Sequence, residues 1–360
     1  MTVHKGEHKR LGAMDVCPFI PVRNVSMDDC VQYAQECGRR IAEELQIPIY
    51  LYGYAANKDA SKKTVPEIRE GEYESLRTRF ETSFQKPDFG PSKFIPRWGA
   101  SIVGARKVLI AYNINLIATK EQANRIAISI RPQKPSGAPG RLKEIQAMGW
   151  ILQEHNIAQV TVNILDHELT TLWMVYEAVK EEAEKLQIPV TGSELVGLVP
   201  LQAILDCAEY YIQKENLFVL EEDQKIHFAV QRLGLNSLSS FDAKNRIIEY
   251  MVSEDKDGPL VGSTLSSFVH QVGDRTSAPG GGSVGAAVGA LGAALGSMVA
   301  KLSFGKKAFE KYDSEMRKLI PEFHKTFQQL IKLVDKDTDA FKKYTEAMRL
   351  PENTETEKKM

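Results

Sequence analysis

The apolar positions change period twice along the amino-terminal part of the chain. Val16 to Val22 (VCPFIPV) is a short apolar run broken by prolines and predicts a strand. Ser26 with Asp29 three residues on has the form of an N-cap and its capping-box partner. Val31, Ala34, Gly38, Ile41 and Leu45 then recur at helical spacing and predict an amphipathic helix. Ile47 to Tyr52 (IPIYLY) predicts the next strand, ended by Gly53. Strand, helix and strand in that order form the repeating piece of α/β and ferredoxin-like folds.

From Asn57 to Trp98 the chain is polar and turn-rich, longer than a plain connector needs to be. Loops of such length inside compact domains are more often functional than idle. Val108 to Leu116 (VLIAYNINL) predicts a strand, and Thr119 with Gln122 a second capping box. Ala123, Ile126, Ala127 and Ile130 give the helix after it an apolar face. A loop over Pro132 to Gly140, a strand over Gln159 to Ile164 and a helix over Glu168 to Leu186 come next. A strand over Val190 to Val199 and a helix over Leu201 to Tyr211 follow. Two successive α/β layers, one to about Gly104 and one to about Tyr250, account for this order economically.

Beyond Tyr250 the pattern becomes helical. A charged linker (SEDKDG, from Ser253) precedes a short helix over Leu265 to Val272 and a break at Pro279-Gly280-Gly281-Gly282-Ser283. Helix is then expected up to Pro351, followed by a polar tail. Ser283 to Val299 is uncharged over a length that raises a membrane span, and Gly285, Gly289 and Gly296 have small-residue spacing. Ala and Gly transfer weakly into hydrocarbon, however, and Lys301, Lys306 and Lys307 follow closely. The expectation is a buried helix packed tightly on its neighbours. Its glycine-rich start also leaves backbone N–H groups that suit an anion.

Composition narrows the classes. The 360 residues are 43% hydrophobic and 26% charged, which is ordinary globular usage. A formal net charge of −1 provides no field to gather nucleic acid or an anionic membrane. Cys30 and Cys37 fall on one predicted helix about 10 Å apart along its axis, too far for a disulfide. With no CxxC pair and no signal peptide, reduced thiols in the cytosol are expected.

Two strings carry candidate chemistry. His4-Lys5-Gly6-Glu7-His8 matches a zinc-peptidase string literally, but Gly6 interrupts the helical turn that would present both imidazoles to zinc. A solvated basic segment and a loop offering one imidazole as general base both remain open by spacing alone. The second string is Gly90-Pro91-Ser92-Lys93-Phe94-Ile95-Pro96-Arg97-Trp98-Gly99. It is either a hinge with an aromatic plug or a ligand cradle. In the second case Phe94 and Trp98 cover a flat heteroaromatic group while Lys93 and Arg97 pair with carboxylates. Arg106 and Lys107 lie just beyond and can add cations.

Together these strings resemble the formimidoyltransferase-cyclodeaminase family, bifunctional folate enzymes of histidine breakdown. The resemblance rests on HKGEH with LGAMDVCPFIPV, DFGPSKFIPRWGA with GARKVLIAYNINL, and GRLKEIQAMGW. It continues through ELVGLVPLQAILD, KENLFVLEE, and APGGGSV with LGAALGSMV, and runs from His4 to about Asn353. It implies a two-subdomain transferase of α/β (α+β, ferredoxin-like) class followed by a partial all-α bundle, cyclodeaminase/cyclohydrolase-like. The implied divisions are 1–104, 105–252, a linker over 253–262, and 263–360.

The resemblance further implies transfer of a formimidoyl group from N-formimidoyl-L-glutamate to tetrahydrofolate, then ring closure to methenyltetrahydrofolate with loss of ammonia. The family's transferase histidine falls on His8, its folate segment on Gly90 to Gly99, and its cyclodeaminase proton acceptor on Asp337. His4 receives no role. Polyglutamylated tetrahydrofolate is the implied co-substrate, with no metal and no nucleic acid. Homo-oligomeric rings and a cytosolic location with Golgi, centrosome and microtubule association are implied as well. The family also has a strand and a helix ahead of its histidine motif, and further bundle helices. The expectation is therefore a chain truncated at both ends, a splice form or partial gene product. Weak or absent transferase activity and no cyclodeaminase activity are expected of it. A noncatalytic folate-binding or oligomerising fragment is the rival reading.

Overall fold

The computed structural model describes residue 1 and residues 9–57, 64–81, 86–132, 140–252 and 258–349. His4 and His8, most of the SEDKDG linker, most of the Pro132–Gly140 loop, Pro351 and the polar tail lie outside them. The chain divides into two compact units, residues 1–211 with 226–252, and 212–225 with 253–360.

The first unit begins with β1 (Val16–Phe19), α1 (Met27–Leu45), β2 (Ile49–Gly53), α2 (Val65–Ile68), α3 (Glu72–Glu81) and β3 (Ser101–Ala105). Ser26 caps α1 as expected: its hydroxyl accepts the Asp29 N–H at 3.1 Å, and the Asp29 carboxylate accepts the Ser26 N–H at 2.9 Å. The stripe that α1 buries is Cys30, Ala34, Gly38 and Ala42, small side chains that let the helix lie close on the sheet. Leu45, expected on that face, is exposed. The sheet order is β1-β3-β2 with all neighbours parallel, Val16 paired with Ile102 and Ile49 with Ser101. Its central strand, β3, falls where only a connection was expected. The turn-rich stretch before it likewise contains two helices, α2 and α3, anchored by buried Ile68 and Leu76.

The rest of this unit is built from β4 (Ile110–Leu116), α4 (Lys120–Ile130), β5 (Ile145–Leu152), β6 (Ile157–Ile164), α5 (Leu172–Lys185) and β7 (Val190–Val196). Four helices follow along the chain: α6 (Leu201–Lys214), α7 (Glu222–Leu233), α8 (Ala243–Arg246) and α9 (Ile248–Val252), with the end of α6 and the start of α7 belonging to the second unit. The β-α-β-β-α-β string forms one antiparallel sheet in the order β5-β6-β4-β7. Gly149 of β5 lies against Asn124 and Lys120 of α4, and its register partners Val160 and Ile114 share that face. The helix-covered face is therefore the apolar one. The opposite face carries Asn113, Asn115, Gln159, Thr161, Asn163 and Glu194. The capping box at Thr119 forms, and all four expected apolar positions of α4 are buried.

The second unit contains α10 (Leu265–Val272), α11 (Gly281–Ser303) and α12 (Asp313–Ala347). Helix α11 lays Ser283, Ala286, Ala290, Ala293, Ser297 and Ala300 inward. The close approach to α12 shows at Gly296, where an added Cβ would stand 2.8 Å from the Phe323 ring. Only this small-residue face matches the expected buried helix. Val288, Leu291, Leu295 and Val299 on the other side are exposed. With 23 residues and a mean hydropathy of 1.6, α11 is long and apolar enough to cross a membrane, and 33% of its most apolar stretch is buried. Lys301 pairs with Glu221 at 2.7 Å, tying the 212–225 segment to this unit.

Candidate functional site

Residues 90–99 are fixed at both ends by glycines in the left-handed region. Gly90 (φ +87°) lies so close to the chain leading into β2 that a Cβ would stand 2.6 Å from the Ile47 carbonyl oxygen. Gly99 (φ +69°) leaves no room for a Cβ beside the Leu11 carbonyl. Any other residue there meets both backbone strain and a clash. Between them the Ile95 carbonyl accepts N–H bonds from Trp98 at 3.1 Å and Gly99 at 2.8 Å, making one tight turn. The Ala13 N–H donates to the Trp98 carbonyl at 2.9 Å, so residues 11–13 run beside the segment. Arg10, held by Glu72 at 3.0 Å, and Asp15, paired with Arg69, brace that run at either end.

The two aromatic side chains separate. Phe94 turns inward, half-buried, its ring 5.4 Å from that of Tyr73 and packed on the cluster containing Leu11, Tyr50 and Ile68. Trp98 is 40% exposed, with the Arg97 guanidinium 4.7 Å over its ring. Trp98 also lines a cavity of about 440 Å³ with Ala13, Met14, Leu45, Ile47 and Ser101. The segment thus contains both an aromatic plug (Phe94) and an exposed aromatic ring (Trp98). Lys93 and Arg97 are exposed to solvent, Arg97 over the Trp98 ring.

Asp88, just before the segment, accepts the Leu51 N–H at 2.8 Å and the Asn57 amide at 2.9 Å. Burial pushes its carboxyl above the usual range despite these donors. Burial also pushes the Tyr50 hydroxyl up to about 12, keeping it neutral over the physiological range.

On the second sheet's polar face, Gln159 donates to the Asn115 Oδ1 at 2.9 Å, and Asn115 donates to the Ser237 hydroxyl at 3.0 Å. Asn115 and Gln159 are 0% and 2% exposed. The buried Asn113 Oδ1 has no hydrogen-bond partner among the described residues.

In the second unit, Asp337 lies on α12 facing the start of α11. Its Oδ2 accepts the Ser283 backbone N–H at 2.9 Å and lies 3.2 Å from the Ser283 hydroxyl. The anion expected at the glycine-rich helix start is thus this carboxylate. Ser283 and Gly282, which the sequence marked only as a flexible break and a helix start suited to an anion, form its immediate surroundings. Two residues earlier, Asp335 accepts the N–H groups of Leu260 at 2.8 Å and Val261 at 3.2 Å. Among the described residues no group of three His, Cys, Asp or Glu side chains is placed to hold a metal ion.

Comparison with known proteins adds three matches in chain order. The N-terminal subdomain of the formiminotransferase domain matches residues 1–106, and the formiminotransferase domain matches 111–253. A family described as formiminotransferase-cyclodeaminase matches residues 264–360. A formimidoyltransferase-cyclodeaminase of Mus musculus is 55% identical over 362 residues, covering 99% of this chain and 66% of the mouse protein. One from Dictyostelium discoideum is 49% identical over 354 residues, covering 98% and 66%. A glutamate formimidoyltransferase of Streptococcus pyogenes serotype M1 is 38% identical over 217 residues, 60% of this chain and 71% of that protein. The chain therefore spans just under two thirds of the length of the first two relatives.

Proposed function

The chain belongs to the formimidoyltransferase-cyclodeaminase family, and from that premise we propose that its first unit moves a formimidoyl group from N-formimidoyl-L-glutamate to tetrahydrofolate. The observation that carries this reading is the Trp98 ring, exposed at a cavity of about 440 Å³ with the Arg97 guanidinium over it, in a segment whose Lys93 also reaches solvent. A pterin ring has the flat π surface that stacks on an indole, and the carboxylates of a polyglutamate tail match exposed cations.

The proposed chemistry is acyl-transfer-like. A ring nitrogen of tetrahydrofolate attacks the formimidoyl carbon and loses its proton as the tetrahedral intermediate forms. His8 takes that proton and returns it to the departing glutamate nitrogen, a task suited to an imidazole titrating near neutrality. In the same reading, which departs from the expectation of weak or absent transferase and no cyclodeaminase activity, the second unit closes the folate ring and releases ammonia, with Asp337 as proton acceptor; the cyclodeaminase family match over residues 264–360 supports it. The divisions 1–104, 105–252 and 263–360 and the ferredoxin-like description of the subdomains belong to this proposal. The β-α-β-β-α-β order of residues 110–196 supports the latter. Assembly into rings and a cytosolic location with Golgi and centrosome association are carried only by the family resemblance.

The test is glutamate release from N-formimidoyl-L-glutamate by the chain with and without tetrahydrofolate. Folate-dependent release, abolished by His8→Ala and given an about tenfold higher KM for folate by Trp98→Ala, is the expected result. Folate binding without turnover would favour the noncatalytic reading instead.

A further inference from the structure

We infer that Ser283 is the positioning residue for Asp337, holding Oδ2 so that Oδ1 is the oxygen that takes the proton. This rests on the cyclodeaminase reading of Asp337 given above. The Ser283 N–H is the third amide of α11, one of the helix-start donors with no partner inside the helix. It donates to the Asp337 Oδ2 at 2.9 Å. An ordinary helix start would be capped by a side chain just ahead of it, but Gly280 has none. The cap comes instead from a carboxylate 54 positions away.

Gly282 makes that reach possible, since a Cβ there would stand 2.6 Å from Oδ2 and closer to Oδ1. The carboxylate lies directly on the glycine, and no other residue leaves that space.

The Ser283 hydroxyl has one proton and two acceptors within reach. The Val334 carbonyl is 2.7 Å away and the Asp337 Oδ2 is 3.2 Å away, with the Thr338 hydroxyl 3.1 Å away able to donate to Oγ. The hydroxyl and the backbone N–H thus both lie on Oδ2 and orient the carboxylate, and they do so without a contact to substrate, because Ser283 is 0% exposed.

N10 of the 5-formimidoyl amidinium adds to the formimidoyl carbon, and its proton passes to Oδ1. That proton then moves to the exocyclic amino group, the carbon–nitrogen bond to it breaks, and ammonia leaves with the bonding pair. The methenyl cation remains with the charge the amidinium brought.

The experiment measures ammonia release from 5-formimidoyltetrahydrofolate by the full chain. Ser283→Ala keeps the backbone donor and removes the hydroxyl, and it should lower kcat about tenfold with KM within twofold. Ser283→Thr, which restores a hydroxyl, should recover most of the loss. Gly282→Ala retains the hydroxyl but evicts the carboxylate, and it should lower kcat at least as much. An inactive Asp337→Asn beside an unchanged Ser283→Ala would overturn this inference alone. An active Asp337→Asn, or no ammonia from the unaltered chain, would overturn the reading beneath it.

Discussion

Gly258 and Asp335 occupy one space: a Cβ on Gly258 would stand 2.9 Å from the Asp335 Cβ and closer still to its carboxylate. That carboxylate holds the turn after Gly258 by accepting the N–H groups of Leu260 and Val261. Gly258→Ala should therefore push Asp335 off both donors and cost about as much as Asp335→Ala, on the order of 1–2 kcal/mol. The double variant should cost no more than either single one, because both remove the same contact. Denaturant unfolding of the four proteins measures this. Additive losses would show that the two residues act separately.

The two aromatics of the 90–99 segment should separate in experiment as they do in space. Phe94→Ala removes a half-buried ring from the Leu11–Tyr50–Ile68 cluster and should cost about 2 kcal/mol of stability. Trp98→Ala, at an exposed ring, should change stability by less than about 0.5 kcal/mol while weakening folate binding. Unfolding midpoints and folate titration on the same preparations distinguish the two. A Trp98→Ala protein that binds folate normally would remove the main support for the proposed cradle.

Gln159→Leu should be costly although it keeps side-chain size. It strips Asn115 Oδ1 of its donor at a position where neither residue meets water, a loss of about 2 kcal/mol. Calorimetric unfolding checks the value. A neutral outcome would mean that Asn115 finds another donor on that face.

The chain's pattern makes some of this legible and hides the rest for physical reasons. α1 and α4 are readable because their caps are local, three residues wide, and their buried positions recur at helical spacing. β3 is hidden because all five of its residues are buried, leaving no alternation to see. β5 is hidden differently. Its buried positions include the small Ala147 and Gly149, while the large Met148 and Trp150 between and after them are not buried, so side-chain size inverts the expected signal. The 90–99 segment is legible as one contiguous string. The Ser283–Asp337 pair is not, since periodicity carries no information across 54 positions.

The cap of α1 predicts a dependence on acid. The Ser26 hydroxyl and backbone N–H hold the Asp29 carboxyl below its usual range. A carboxylate whose folded value is depressed stabilises the fold above its unfolded value, near pH 4, and loses that contribution as pH falls through the folded value. Ser26→Ala removes one hydroxyl that both accepts from the Asp29 N–H and donates to the Asp29 carboxylate, favouring its charged form. At neutral pH it should cost about 1 kcal/mol. The hydroxyl's help to the charged carboxylate makes up part of that gap, and this part should shrink below about pH 4. Urea unfolding of both proteins between neutral pH and about pH 3 measures the difference. A gap that stays constant across that range would show that Ser26 acts through its cap to the Asp29 N–H alone, with no contribution through the carboxylate.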